Sequence, residues 1–248
     1  MKLTQYEERI LDGKFGEGRA LAMRLLVALG DVFEADHMVP VRSVQVSGVS
    51  YKTIGDPGIE FLEDLANKGA RAIAKATTNP TGMDLRNWRD HGVPEYFAEK
   101  QLRIVSAFKK MNLATTCTCI PYYAGNKPRF GTHIAWAESS AVAFANSVLG
   151  ARTNREGGPA ALASAVLGRT PFYGLHLAEN RKPTHVVKVE SPIYSQLDFS
   201  ALGYSVGERL SQSVPFIEGL SKKPNLDELK ALGASMAASG AIGLYHMQ

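Results

Sequence analysis

Residues 42–77, RSVQVSGVSYKTIGDPGIEFLEDLANKGARAIAKAT, hold the alternation that decides the fold. Arg42 to Val46 reads as a strand led in by Pro40. Asp56-Pro57 then pairs an N-cap with a first-turn proline, and Ile59, Leu62, Leu65 and Ala66 recur on one helical face until Gly69 stops it. Arg71 to Thr77 follows directly as a second strand. Strand, helix and strand in immediate succession predict a mostly parallel sheet with helices on both faces.

The pattern extends in both directions. Thr4-x-x-Glu7 is a capping box whose helix ends at Gly13, and Leu21, Leu25, Ala28 and Leu29 mark a second helix stopped by Gly30. Helix Glu95 to Met111 feeds a third predicted strand, Leu113 to Cys119. Glu138 to Gly150 is almost wholly small and apolar, a buried helix, and Gly157-Gly158 turns into another near Ala160 to Val166. Thr184 to Val189 alternates as a strand, Asn225-x-x-Glu228 opens a helix to about Ser239, and Ala241 to Gln248 reads as a final strand. A composition shift at Asn180 to Pro183 divides the chain into an α/β lobe, 1–180, and the start of a second, 181–248.

Composition bounds the function. With 248 residues, 45% hydrophobic and 21% charged, the chain is an ordinary globular protein. Its net charge of +4 is spread along the chain. The densest basic run, Lys100 to Lys110, interleaves with Leu102, Ile104, Val105 and Phe108, so it is a solvated helix face and argues against a nucleic-acid partner. No apolar run approaches the roughly 18 residues of a membrane span. Met1 to Glu8 is charged and lacks a signal core. Two cysteines two residues apart make no disulfide framework, which points to a cytoplasmic, reducing compartment.

Each of three strands leads into a loop of small and polar residues: Ser47-Gly48-Val49-Ser50, Thr78-Asn79-Pro80-Thr81-Gly82 and Cys119-Ile120-Pro121-Tyr122. Singly these are ordinary turns. Together they sit where open parallel sheets bind ligands, beyond the carboxyl ends of the strands. Cys117 and Cys119, at period two, would share one side of a strand, either as small buried residues or as part of a metal site needing thiolates from elsewhere. Glu138, beside Ser139 and Ser140 at the head of an apolar helix, is a dipole partner or an acid–base carboxyl. Arg152, Arg155 and Gly157-Gly158 read as an anion-attracting loop or as helix-end solvation. His133, His176 and His185 are scattered without ligand spacing.

The runs Ser47-Gly-Val-Ser-Tyr-Lys-Thr-Ile-Gly-Asp56, Thr77-Thr-Asn-Pro80, His133-Ile-Ala-Trp-Ala-Glu-Ser-Ser140, Phe144 to Pro159 and Tyr173-Gly-Leu-His-Leu177 resemble the aconitase X family over essentially the whole chain. The resemblance implies aconitase-like α/β/α layers, left incomplete without the family's C-terminal half. It implies an iron–sulfur cluster, of the [4Fe-4S] kind, and a hydro-lyase that removes water from a hydroxy acid. Cys119 in Cys-Ile-Pro-Tyr resembles the family's first cluster ligand, with Cys117 extra and Ile120 standing where a small hydroxyl residue is expected. Gly48, Val49, Ser50, Asn79 and Pro80 resemble substrate contacts, as do Glu138 and Ser139, which are also the implied catalytic residues. The remaining cysteines and a small subunit, a swivelling domain bearing a serine base, would come from outside the chain. The family's branches dehydrate mevalonate 5-phosphate, in an isoprenoid pathway, or cis-3-hydroxyproline. The Ser-Gly-Val-Ser-Tyr-Lys and Asn-Arg-Glu-Gly-Gly-Pro forms fit the phosphorylated hydroxy acid better. A non-catalytic remnant or scaffold subunit is the rival.

Overall fold

The computed structural model describes all residues, 1–248. In chain order the elements are α1 (Gln5–Leu11), α2 (Glu17–Val32), β1 (Met38–Pro40), β2 (Ser43–Val46), α3 (Tyr51–Asn67), β3 (Lys75–Thr78), α4 (Glu95–Lys110), β4 (Ala135–Trp136), α5 (Ser139–Ser147), α6 (Gly158–Leu167), β5 (Arg169–Pro171), β6 (His185–Lys188), α7 (Gln196–Leu210), β7 (Pro215–Glu218), α8 (Leu226–Gly240) and β8 (His246–Met247). They form two compact units. The first comprises Met1–Lys127, Ala135–Ala137 and Glu156–Tyr173, and the second Pro128–Ile134, Glu138–Arg155 and Gly174–Gln248.

The first unit is built on the parallel sheet β3-β2-β4, in which Val44 pairs with Ala76 and Ala135, and Gln45 with Thr77 and Trp136. All four residues of β2 are buried, as a parallel strand covered on both faces requires. One face presents Val44, Val46, Ala76 and Ala135 to Leu62 and Leu65 of α3, Ile104 and Phe108 of α4, and the alanine-rich α6. Each large side chain fully buried there contributes roughly 1.5–3 kcal/mol. From Ala160 to Leu167 every residue of α6 is buried, so the helix is apolar all round. A two-stranded antiparallel ribbon, β1 with β5, completes the unit. The α/β class with parallel pairing is thus as the sequence predicts.

The boundaries differ in three places. α3 starts at Tyr51, but Gly55 breaks its helical geometry at φ 58 and ψ −164, so a separate helical segment follows, led by Asp56 and Pro57. Leu113 to Cys119 is not a strand: Ala114 makes a single parallel bridge to Thr77, and Cys117 has φ +49. The third strand is instead β4, two residues long.

In the second unit the parallel sheet β6-β7-β8 packs on α7 and α8 through Phe199, Val206, Ile217, Leu232 and Met236. Only His246 and Met247 of the predicted final strand are extended into the sheet. α7 and α8 approach closely because Gly203, Gly207 and Gly240 lie at their contact. A Cβ on Gly240 would stand 1.9 Å from the Gly207 carbonyl oxygen. Arg181 anchors this unit from within, donating to Asn146 Oδ1 and to the carbonyls of Asn146, Ala151 and Leu175. No helix of the chain is long and apolar enough to cross a membrane.

Candidate active site

The carboxyl ends of β2 and β3 carry the first two predicted loops, and a buried glutamine fixes them together. Gln101, fully buried on α4, donates to the Val49 carbonyl (2.8 Å) and accepts from the backbone of Tyr51 (3.0 Å) and Gly82 (2.9 Å). One side chain therefore sets the spacing of the Ser47–Ser50 and Asn79–Gly82 loops. The Asn79 amide donates to the Val46 carbonyl at 2.9 Å, which holds the second loop beside the end of β2. Within these loops Gly48 has φ +77, a conformation that glycine adopts without strain. Ser50 is the N-cap residue of α3. Val49 buries its side chain in the core, so only its backbone is at the loop surface's disposal. Asn79 is half-buried with its Oδ1 enclosed and unpartnered by protein groups, and Pro80 is exposed.

The third loop is tied down from below. Thr118 donates its amide to the Thr78 carbonyl, and Gln45 Nε2 donates to the Thr118 carbonyl at 3.0 Å. The left-handed Cys117 interrupts the period-two alternation expected of a strand. Its amide donates to Thr78 Oγ1, and its half-buried sulfur lies 3.8 Å from the same hydroxyl. Cys119 is a free, exposed thiol one residue beyond the pinned Thr118. This donor set suits one ligand of a thiolate-held cluster, with Cys119 available and Cys117 engaged.

β4 ends at Trp136, whose carbonyl accepts from the Glu156 amide at 3.0 Å. Glu156 lies just ahead of Gly157, the N-cap of α6. Its carboxyl is buried, its Oε1 has no protein partner, and burial alone pushes its pKa up to about 7. Two residues on, Gly158 is pressed to the Ser47 carbonyl, which a Cβ would approach to 2.6 Å. A cavity of about 170 Å³ beside this contact is lined by Ser47, Gly48, Gly158 and Pro159 with the apolar Ile54 and Phe61.

In the second unit Glu138 occupies the N-cap position of α5, not its first turn, and accepts from the hydroxyls of Ser139 (3.5 Å) and Ser140 (3.4 Å). All three are half-buried. The arginines expected to attract an anion are turned to carbonyls: Arg152 donates to His176 and Arg155 to Ala237. His133 and His176, scattered in sequence, meet with their Nδ1 atoms 2.9 Å apart. Burial and the neighbouring cations push His176 down to about 3, and His133 is lowered by the same causes, so the pair is neutral and one ring donates to the other.

Sequence reasoning missed Gln101, Gln45 and Glu156. Gln101 left a trace, a polar residue on the apolar stripe of α4 between Ala98 and Ile104. Glu156 is inconspicuous in sequence, since its arginine and glycine neighbours carry the stronger signal of an anion-attracting loop.

Family models for the aconitase X first and second domains match residues 1–179 and 183–248. The chain belongs to the aconitase X family. It is 57% identical to the phosphomevalonate dehydratase large subunit of Methanocaldococcus jannaschii, over 99% of this chain and 62% of that protein. Against the cis-3-hydroxy-L-proline dehydratase of Pseudomonas aeruginosa it is 34% identical, over 99% of this chain and 42% of that protein. The crystal structure of Thermococcus kodakaraensis aconitase X in its holo form superposes with a TM-score of 0.93 at 50% identity, covering 100% of this chain and 61% of that one. The chain therefore spans about three fifths of the length of the large subunits it matches. The aconitase-like α/β fold expected from the sequence is borne out.

Proposed function

We propose that the chain is part of a hydro-lyase that dehydrates mevalonate 5-phosphate to its trans-anhydro product within an isoprenoid pathway. The observation that carries this reading is that five phosphomevalonate dehydratase large subunits are each more similar to the chain than two hydroxyproline dehydratases are. Identity runs from 50 to 57% over nearly the whole chain with four phosphomevalonate dehydratase large subunits and is 37% with a fifth, against 34 and 32% with the hydroxyproline enzymes. The acting assembly would join this chain to the remaining part of the large subunit and to a small swivelling subunit, in the cytoplasm. Along the sequence residues 1–180 carry the motifs and 181–248 open a second lobe, but the compact units do not follow that division, since Pro128–Ile134 and Glu138–Arg155 fold with Gly174–Gln248.

In this reading Gly48, Val49 and Ser50 offer backbone and hydroxyl groups to substrate, with Asn79 and Pro80 on the adjoining loop held in register by Gln101. Glu138 and Ser139 contact the reacting portion and take part in proton transfer. Cys119 would hold one iron of an iron–sulfur cluster whose other ligands lie outside the chain. When bound, that cluster supplies a Lewis acid that lowers the cost of losing a hydroxyl.

The test is reconstitution of the complete assembly under anaerobic conditions, with dehydration of both compounds followed by mass spectrometry. Turnover of mevalonate 5-phosphate alone is expected. Turnover of hydroxyproline alone would reassign the branch, and turnover of neither, with a full cluster, would favour a scaffold subunit.

A further inference from the structure

Five buried side-chain oxygens of the first unit have no protein partner; Ser164 Oγ lies within α6 and Thr170 Oγ1 on β5. The other three lie toward the carboxyl ends of one sheet: Gln45 Oε1 on β2, Asn79 Oδ1 just beyond β3, and Glu156 Oε1 beside the end of β4. Orphaned buried polar atoms are uncommon in folded proteins, and the carboxyl edge of a parallel sheet is where ligands bind. Glu156 differs from the two amides because it can surrender a proton. It is 5% exposed, sits one residue ahead of the α6 N-cap, and belongs to the turn that Gly158 presses onto Ser47. That turn abuts the Ser47–Ser50 loop, where the substrate reading places its contacts.

We propose that Glu156 is a further catalytic residue, the acid that protonates the departing hydroxyl; this rests on the dehydratase reading above. The carbon–oxygen bond breaks with its electron pair leaving on oxygen, and the Glu156 proton joins that oxygen to give water. A base removes the proton from the neighbouring carbon, and the freed pair becomes the double bond. The base then releases its proton to solvent and the Glu156 carboxylate regains one, which restores both groups. An acid for this step must be protonated at working pH yet able to release, which is what enclosure without a countercharge produces. Burial is the sole cause of its raised proton affinity, with neither a cation nor a second carboxylate of the chain contributing.

The experiment compares wild-type, Glu156→Gln and Glu156→Asp forms of the complete reconstituted assembly with mevalonate 5-phosphate as the compound. We expect Glu156→Gln to lose at least about 100-fold in kcat, within the range for a lost general acid. Iron content should hold, and mevalonate 5-phosphate should bind within threefold of wild type. The wild-type kcat/KM should fall as pH rises through about 7, a limb absent from the residual activity of Glu156→Gln and retained by Glu156→Asp. In the same samples, an infrared carbonyl band of a protonated carboxyl should titrate near pH 7 in wild type and vanish in Glu156→Gln. A Glu156→Gln form within threefold of wild type, or one that keeps the alkaline limb, overturns the proposal. So does a loss that tracks lost iron or lost binding, since that marks a structural role. A wild-type assembly that dehydrates nothing overturns the function reading, and the proposal with it.

Discussion

Cys117 and Cys119 show how one backbone angle separates two residues that look equivalent in sequence. Alternation predicts two thiols on one side of a strand. The left-handed φ of Cys117 instead seats its amide and sulfur on Thr78, while Cys119 stands exposed beyond the anchored Thr118. No pattern of hydrophobicity encodes that angle, so the pairing with Thr78 could not be read in advance. Resemblance of the Cys-Ile-Pro-Tyr motif alone distinguished the two. In the reconstituted assembly Cys119→Ser should lose most of its iron and sulfide, and Cys117→Ser should keep nearly all of both, as measured per protein by metal and sulfide analysis. Equal losses from the two variants would refute the assignment. Gln101 makes the complementary point: a buried amide that satisfies three backbone groups on two loops is visible in sequence only as a polar gap in an apolar stripe.

The elements that sequence located were those with a chemical start and a long apolar face. Thr4-x-x-Glu7 and Asn225-x-x-Glu228 both form complete capping boxes, and Asn225 Oδ1 accepts from the amides of Asp227 and Glu228. α7 carries a third box, Ser195 with Asp198, which is hard to read because aspartate stands where the usual pattern has glutamate or glutamine. β1, β4, β5 and β7 were missed, the first three because two or three residues carry too little periodicity to register. The α7–α8 contact has its own signature, glycines at helical spacing that leave no room for a side chain. Gly240→Ala would place a methyl at 1.9 Å from the Gly207 carbonyl oxygen, so the two helices must separate. Such overpacking costs about 1–3 kcal/mol. Urea unfolding should show a lower midpoint with an unchanged slope, and an unaltered midpoint would mean that the helices are not in this contact. Asn225→Ala should cost about 1 kcal/mol by the same measurement, the usual loss for a helix cap.

At the scale of the whole chain, two buried groups of opposite kind tilt stability in opposite directions with pH. His176, held neutral with a pKa of about 3 against an ordinary 6.5, contributes stability that is present above pH 6.5 and is lost as pH falls toward 3. Glu156 has the reverse sign. Its folded pKa of about 7 lies above the ordinary 4.5, so its contribution is fully present below pH 4.5 and is lost as pH rises through about 7. A tenfold change in proton affinity is worth about 1.4 kcal/mol, so the penalty for ionising Glu156 in place has a ceiling of about 3.5 kcal/mol. Glutamine is similar in size and carries no such penalty. The difference in unfolding free energy between Glu156→Gln and wild type should therefore change with pH in a defined window. Relative to its value at pH 4.5, the variant should gain progressively up to pH 7 and gain little beyond. Urea titrations of both forms from about pH 4 to about pH 8 would measure this directly. A difference that stays constant across that range would show that Glu156 ionises normally in the folded chain, and would remove the physical basis for its role as an acid.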